Sequence, residues 1–179
     1  KAHGGINDSI LKSCKSYCDH WERAYEMNQG FLFHGDPGTG KTYAAACIAN
    51  EIMDNHHVEV LMTNFGKIIF GIQAAEDKNE YINNLVRFPL LIIDDLGIER
   101  KTEYATEIVY NVIDARYRSH KPLIVTTNLS KNELLHPADM AHQRIYDRVL
   151  ELCKTVSFGT VGHRAEIAER RWQEFIADW

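Results

Sequence analysis

The sequence lacks three features that would each indicate a different class of protein. Its apolar runs never reach the ~18 consecutive residues of a membrane-spanning helix, and its first five residues do not form a signal peptide. Its 20 basic and 25 acidic side chains give a net charge of -5, so the whole chain is not attracted to nucleic acid or anionic membranes. We therefore expect a soluble, cytoplasmic domain with no membrane partner, in which any DNA contact is local.

The four cysteines also lack the paired spacing of a disulfide framework. We place Cys47 on the apolar side of a helix, as an ordinary buried thiol, and this fits a reducing compartment. Cys14, Cys18 and His20 could form a metal cluster, but one cysteine pair plus one histidine within a helical stretch is poor zinc spacing. A plain helical face is the alternative.

Strand and helix patterns alternate along all 179 residues, without an internal repeat or a low-complexity segment. The predicted strands are 30–34, 58–63, 89–94, 123–127 and 155–158. The predicted helices are 8–27 (with Asp8 or Ser9 as N-cap), 41–55, 65–75, 79–87, 102–118, 131–135, 140–152 and 163–179. The run 89–94 is apolar up to its acidic end, which places it at the middle of a parallel sheet. We predict one α/β domain, a sandwich with a largely parallel sheet.

A complete phosphate-binding loop follows the first predicted strand. Its residues are Gly35, Asp36, Pro37, Gly38, Thr39, Gly40, Lys41 and Thr42. Backbone N–H groups of such a loop, with the N-terminus of the next helix, form a site for the β- and γ-phosphates of a nucleotide. Lys41 would contact the phosphate oxygens and the Thr42 hydroxyl would reach Mg²⁺. A glycine-rich turn without a ligand is the alternative, which the preceding strand and a downstream acidic strand disfavour.

Polar residues end two further predicted strands, where ligands bind in parallel α/β sheets. We assign Asp94 to the metal ion and Asp95 to the attacking water, although Asp95 could instead cap the turn that follows it. Asn128 could bind the γ-phosphate or hold the water in line, or could be a simple turn residue.

Three arginines are candidates for contacts with the transferred phosphoryl group. Arg144 and Arg148 lie four residues apart on one helix face, and their distance along the chain from the loop makes a contact across a subunit boundary plausible. They could instead pair with Asp147, with Glu151 or with the surface. Arg164 is either a phosphate sensor or part of a structural salt bridge.

Together these motifs resemble the AAA+ ATPases, and among them the DnaC-type replicative helicase loaders and the similar IstB-type transposition helpers. The resemblance covers roughly residues 31–164 and includes the Asp-Asp-Leu-Gly sequence at 94–97. It implies Mg-dependent ATP hydrolysis, ATP or ADP as cofactor, and Tyr43 beside the loop as a nucleotide contact. It also implies that Arg148 is a finger acting on the neighbouring subunit and that Arg164 is the sensor II arginine.

The resemblance further implies a P-loop NTPase three-layer sandwich with strand order 5-1-4-3-2 and no large lid domain. We expect residues 1–179 to form a single AAA+ domain without the N-terminal helicase-binding domain of the loaders. The implied partners are a replicative helicase, single-stranded DNA and further copies of the chain in a helical or ring-like oligomer. Candidate DNA contacts are Phe65, Lys67, Phe70, Lys101 and Tyr104, for which a solvated helix face with core aromatics is the alternative.

Three other functions stay open at this point. A transposition helper acting on duplex DNA has nearly the same motifs. A monomeric small-molecule kinase needs an acceptor site and an arginine-bearing lid that closes within one chain, and the distant arginine pair fits this poorly. A nucleotide switch that hardly hydrolyses ATP is the third, because Asp95 is shorter than the glutamate usual at that position.

Overall fold

The computed structural model describes residues 7–97, 102–159 and 172–173. Within them, one parallel sheet is covered by helices on both faces. The five strands are β1 (Gly30–His34), β2 (Val60–Asn64), β3 (Leu90–Leu96), β4 (Leu123–Thr127) and β5 (Cys153–Ser157). The helices are α1 (Asp8–Asp19), α2 (Trp21–Glu26), α3 (Lys41–His56), α4 (Phe65–Ala74), α5 (Lys78–Val86), α6 (Glu103–Arg118), α7 (Lys131–Leu135) and α8 (Met140–Leu152).

The strand order is β2-β3-β4-β1-β5, with every neighbouring pair parallel. This confirms the predicted order 5-1-4-3-2, which is the same sheet viewed from its other edge. The central strand is β4 and not β3, so the prediction that β3 lies at the middle is wrong by one position. Strand β3 nevertheless has a neighbouring strand on each side and is buried at residues 90–93. The prediction erred because an apolar run distinguishes interior strands from edge strands but does not show which interior strand is central.

Side chains of β1 alternate between two apolar cores. Phe31 and Phe33 pack with α1 and α3 on one face of the sheet, whereas Leu32 packs with α4, α6 and α8 on the other. Strands β3 and β4 divide their side chains between the same two cores. Successive side chains of a strand point to opposite faces, so the parallel sheet separates two helical layers and brings its polar strand ends to a single edge.

The N-terminal helical segment differs from its prediction in two respects. It divides at His20, which has non-helical backbone angles and whose Nδ1 lies 2.8 Å from the Ser16 carbonyl oxygen. The N-cap is Asn7 and not Asp8 or Ser9, since the Asn7 side chain accepts the Ser9 N–H at 3.0 Å. Asparagine is as good an N-cap as aspartate or serine, and apolar periodicity alone does not choose among adjacent candidates.

Two predicted burial or boundary assignments also change. Cys47 is exposed, because it lies on the face of α3 that points away from the sheet, while Ala44, Ala45 and Ile48 fill the core. Strand β5 begins at Cys153 and ends at Ser157, so its start lies two residues before the predicted 155–158. The polar Lys154 interrupts the apolar pattern, so a search for apolar runs misses the first two residues of this edge strand.

A buried arginine ties together the end of the sheet opposite the phosphate loop. The Arg116 side chain is fully buried, and it donates to the carbonyl oxygens of Val86 at 2.9 Å, Phe88 at 2.7 Å and Pro89 at 2.9 Å, and also to that of Pro122. Burial lowers its pKa to about 10. One guanidinium thus joins α6 to the segments that lead into β3 and β4.

Some predictions fall on residues outside the described ranges. They include Lys101, Arg164 and most of the predicted helix 163–179, of which only Trp172 and Gln173 are described. None of the helices in the described part of the chain has the length and apolar character required to cross a membrane.

Candidate nucleotide-binding site

The loop at residues 35–42 connects β1 to α3 through glycines with positive φ angles. Gly38 has φ 83° and Gly40, which is the N-cap of α3, has φ 98°. A side chain is strained at such angles, so glycine lets the backbone curl before the helix begins at Lys41. The Thr39 hydroxyl donates to the Asp36 carbonyl oxygen at 2.8 Å and fixes the curl from inside. The described loop therefore directs a helix N-terminus at one concave site.

Lys41 connects this loop to the end of β4. It is only 5% exposed, and its ammonium donates to the carbonyl oxygens of Gly35 at 2.7 Å and Asp36 at 2.8 Å and to the Asn128 side-chain oxygen at 2.8 Å. A buried ammonium requires such partners, because desolvation of a charge is costly. The structure thus brings together Lys41 and Asn128, which are 87 positions apart in the sequence.

Asp94 on β3 lies against the first turn of α3. The Thr42 hydroxyl donates to its two carboxylate oxygens at 2.9 and 3.2 Å, and the Thr126 hydroxyl of β4 donates to Oδ1 at 2.5 Å. Parallel strands end at the same edge, which explains the convergence. Sequence reasoning missed Thr126 as a site residue, although it lies in the polar end of β4, two residues before Asn128.

Asp95 occupies a β-bulge and does not close the strand as predicted. Its φ is 61°, and the pairing of β3 with β4 shifts between Ile93 and Leu96, so the strand continues past the acidic pair. Its backbone N–H donates to the Thr126 hydroxyl oxygen at 3.0 Å. Bulges re-aim side chains, and aspartate tolerates left-handed backbone angles better than most residues. The bulge places consecutive carboxylates in different settings, and the role of Asp95 towards water stays a prediction.

Two further basic groups lie near the loop. Burial, and then the positive charges of Lys131 and Lys41, lower the pKa of His34 at the end of β1, so this imidazole is neutral at pH 7. Lys131 opens α7 directly after the segment that contains Asn128. The sequence analysis assigned no role to Lys131, because only the fold brings β1 and β4 together as neighbours.

The two candidate arginines of α8 have different surroundings. Arg148 donates through Nε to Asp114 at 2.9 Å and through a terminal nitrogen to the Tyr110 hydroxyl at 3.2 Å. Its predicted alternatives, Asp147 and Glu151, are not these partners, and Glu151 instead accepts the Tyr117 hydroxyl at 2.8 Å. Arg144 is exposed and lines a groove of 870 Å³ between α6, α7 and α8.

The candidate DNA contacts separate into buried and exposed residues. Phe65 is 1% exposed and belongs to the core, so it cannot stack on a base and that assignment is wrong. Phe70 is 74% exposed, and Lys67 is exposed three residues earlier on the same helix. Tyr104, at the start of α6, is 39% exposed and has the Lys78 ammonium 5.7 Å from its ring centre. The exposed side chains of Lys67, Phe70, Lys78 and Tyr104 are together called the aromatic-basic surface below.

The oxygen donors beside the loop suit a magnesium ion that is held together with a nucleotide. Thr42 and Asp94 offer one hydroxyl and one carboxylate, and Mg²⁺ is usually bound by one or two carboxylates together with phosphate oxygens and waters. Within the ranges that the structure describes, no group of three histidine, cysteine, aspartate or glutamate side chains could hold a metal ion. This removes the cluster of Cys14, Cys18 and His20 and leaves a site that phosphates would complete.

Comparison with known proteins agrees with this geometry. The family described as IstB-like ATP binding protein matches residues 11–169. The replicative helicase loader DnaC of Escherichia coli (strain K12) is 28% identical over 124 residues, which are 66% of this chain and 49% of DnaC. The chain thus spans about half the length of this relative.

Two solved structures share the fold. A crystal structure of the DnaC helicase loader has a TM-score of 0.73 at 21% identity, covering 88% of this chain and 94% of that one. The replication initiator DnaA bound to AMPPCP and single-stranded DNA has a TM-score of 0.67 at 18% identity, covering 98% of this chain and 53% of that one. From the family match, the loop and the sheet order, the chain belongs to the family of IstB-like ATP-binding proteins, and its fold is that of the P-loop AAA+ domains.

Proposed function

We propose that this chain hydrolyses ATP and couples its nucleotide state to the loading of a replicative helicase onto single-stranded DNA. The observation that carries the chemistry is the meeting of Thr42, Asp94, Lys41 and Asn128 at the carboxyl edge of the sheet. Binding alone would need only the loop. A carboxylate from β3 and an amide from the segment after β4, which contact consecutive residues of the first turn of α3, support a reaction at the γ-phosphate.

Each residue at this edge has a distinct proposed role. Thr42 and Asp94 would hold Mg²⁺, which when bound would neutralise charge on the phosphate oxygens. Lys41 donates to those oxygens, in competition with the loop carbonyls that it now contacts. Asn128 holds the attacking water in line or contacts the γ-phosphate, and Asp95 orients the water or accepts its proton. Tyr43, which is 58% exposed beside the loop, contacts the bound nucleotide.

We further propose that the site is completed between subunits. The Arg148 side chain contacts Asp114 and Tyr110 on α6, and its hydrogen bonds are not with the phosphate loop of its own chain. A guanidinium from a neighbouring copy would stabilise the transition-state charge. Side-by-side copies in a helical or ring-like oligomer would therefore each contribute one loop and receive one arginine.

Steady-state ATP hydrolysis per protomer is expected to rise with protein concentration, and more steeply with a single-stranded oligonucleotide. A shared site exists only after assembly, and a bound strand would favour assembly by mass action. The measurement is turnover at saturating Mg-ATP over a wide range of protein concentrations, with no DNA, with a single strand, and with a duplex of the same sequence.

The measurements with single-stranded and with duplex DNA distinguish two candidate functions. Stimulation by the single strand supports the helicase loader, whereas stimulation by the duplex alone supports a transposition helper, which the IstB-like family match favours as the second candidate. A substantial rate that does not depend on concentration would contradict the shared site and favour a monomeric kinase-like enzyme. No hydrolysis under any condition would favour a nucleotide switch.

The aromatic-basic surface is the proposed contact for single-stranded DNA. Phe70→Ala is expected to weaken oligonucleotide binding by roughly 1–3 kcal/mol, or about 5- to 150-fold in Kd, because the loss of one stacked base has this effect. At 74% exposure the side chain has little packing to lose, so stability should hardly change. The measurement is fluorescence anisotropy of a labelled oligonucleotide in the presence of Mg-ATP.

Two variants serve as controls for this prediction. Phe70→Trp keeps a stacking ring and should retain binding, whereas Met140→Ala removes a comparably exposed apolar side chain (70%) from the start of α8 and should have no effect. Equal binding by Phe70→Ala and the unaltered chain would exclude this residue from the DNA contact.

A further inference from the structure

We infer that Asp114 is a positioning residue for Arg148: it fixes the guanidinium on the α6–α8 surface so that the remaining N–H groups can contact a phosphate bound to the neighbouring subunit. The inference rests on the proposed function, since it assumes that Arg148 acts across a subunit boundary. Turnover should therefore depend on Asp114, a residue outside both the loop and the strand ends.

The Arg148 side chain is held at each of its three nitrogens. Nε donates to Asp114 at 2.9 Å, one terminal nitrogen donates to the Arg144 carbonyl oxygen at 3.1 Å, and the other donates to the Tyr110 hydroxyl at 3.2 Å. A guanidinium has five N–H donors, two on each terminal nitrogen and one on Nε. These three bonds use one donor per nitrogen, so each terminal nitrogen still carries a second N–H.

Two aromatic rings restrict the guanidinium further. The centre of the Tyr110 ring lies 5.0 Å from the Arg148 guanidinium carbon, and that of Tyr117 lies 5.8 Å from it. Tyr110, Asp114 and Tyr117 share one face of α6 because they are spaced by four and three residues. An arginine side chain loses substantial rotamer freedom when it is ordered. Here the contacts with Tyr110, Asp114 and Tyr117 already restrict the Arg148 side chain before a phosphate binds. Its rotamer entropy is then not lost during the reaction, and such preorganisation lowers the barrier.

The ion pair between Asp114 and Arg148 is partly buried. The Asp114 side chain is 12% exposed, whereas the Arg148 side chain retains 26% exposure. Arg118, the second basic partner of Asp114 at 2.7 Å, has a side chain that is 75% exposed. The Asp114 carboxylate therefore lies between α6 and α8, and the Arg148 guanidinium extends from it towards solvent. Arg118 offers a control that removes the other partner of the same carboxylate.

The first test compares steady-state kinetics of single and double variants. Asp114→Ala is expected to lower kcat about 10- to 100-fold, the effect of a misplaced catalytic group, while KM for ATP stays unchanged because the loop is intact. In a background of Arg148→Ala it should cause no further loss, since Asp114 acts only through that arginine. Arg118→Gln should leave kcat unchanged.

The second test uses mixtures of two variants, because the loop and the arginine of one site would come from different subunits. Lys41→Ala subunits hydrolyse nothing themselves, but they present an intact Asp114 and Arg148. Added in excess to Asp114→Ala subunits, they should restore most of the turnover. Subunits that carry both Lys41→Ala and Asp114→Ala differ from the first donor only at residue 114, and adding them should restore no turnover. A purely structural role for Asp114 would not produce this dependence on the donor subunit.

Each result decides between the alternatives. Additive losses in the double variant, or equal restoration by both donors, would overturn the positioning role while leaving the shared site in place. Failure of Lys41→Ala subunits to rescue Arg148→Ala would instead contradict the shared site, and the inference would fall with it. If Asp114→Ala does not fold, Asp114→Asn, which keeps a weaker neutral acceptor, is expected to show a smaller loss of kcat and the same pattern of rescue.

Discussion

Arg148→Ala is expected to lower ATP turnover about 10³-fold or more, the range found when an arginine finger is absent, and to leave nucleotide affinity nearly unchanged. The guanidinium would contact charge that develops only in the transition state, so the ground-state complex loses little. The measurement pairs kcat at a protein concentration that saturates assembly with the Kd of a fluorescent nucleotide.

Arg144→Ala is the comparison for this variant, because Arg144 lies one helical turn earlier on the same face and is more exposed than Arg148. Its effect on kcat should be much smaller. Equal losses in affinity and turnover for Arg148→Ala would show that the arginine contributes to nucleotide binding and is not a finger. A larger loss for Arg144→Ala than for Arg148→Ala would transfer the role to Arg144.

Arg116→Met is expected to lower the free energy of unfolding by roughly 3–5 kcal/mol, because buried carbonyl acceptors left without a donor cost about 1–3 kcal/mol each, and part of this is offset when no guanidinium has to be desolvated. Methionine fills much of the volume, but the carbonyl oxygens of Val86, Phe88, Pro89 and Pro122 would lose a charged donor in the interior. For a domain of this size the melting temperature should fall by roughly 6–20 °C. Thermal or urea unfolding followed by circular dichroism measures the change.

Arg118→Met is the matched control, since it makes the same change two residues later on α6 at a side chain that is 75% exposed. Because the Arg118 end of its ion pair is exposed and Asp114 keeps Arg148 as a partner, the change should cost only about 1 kcal/mol or less. If the two variants were equally stable, the four carbonyl contacts of Arg116 would have no net stabilising value. The experiment should be done without nucleotide, so that binding at the opposite edge of the sheet does not affect the melting temperature.

Most elements and half of the site could be predicted from the sequence, because their signals are local. The phosphate loop fixes eight consecutive residues, and an apolar run ending in two aspartates indicates an interior strand that ends at a ligand edge. Once the strands are known to be parallel, Asp94 and Asn128 must lie at the edge that also carries the loop. Their contacts with Thr42 and Lys41 agree with that expectation.

The unpredicted features depend on partners that are distant in sequence. Nothing near Arg116 shows that four carbonyl groups surround it, and nothing near Asp114 shows that its partner lies 34 residues later. The burial of Phe65 and the exposure of Cys47 depend on the rotation of each helix about its axis, which a few apolar residues leave undetermined. The left-handed turn at Asp95 follows from its pairing with β4 and has no sequence signal of its own.

The Thr126 hydroxyl contacts both residues of the acidic pair Asp94 and Asp95. It donates to the Asp94 carboxylate and accepts from the Asp95 backbone N–H, so a single oxygen atom joins both halves of the acidic pair. A rotation of the Asp94 carboxylate towards another ligand would draw this hydroxyl with it and weaken its hold on the bulge. The positions of the two aspartates are thus linked through one hydroxyl, and a ligand that moved the Asp94 carboxylate would be expected to shift the backbone that directs Asp95.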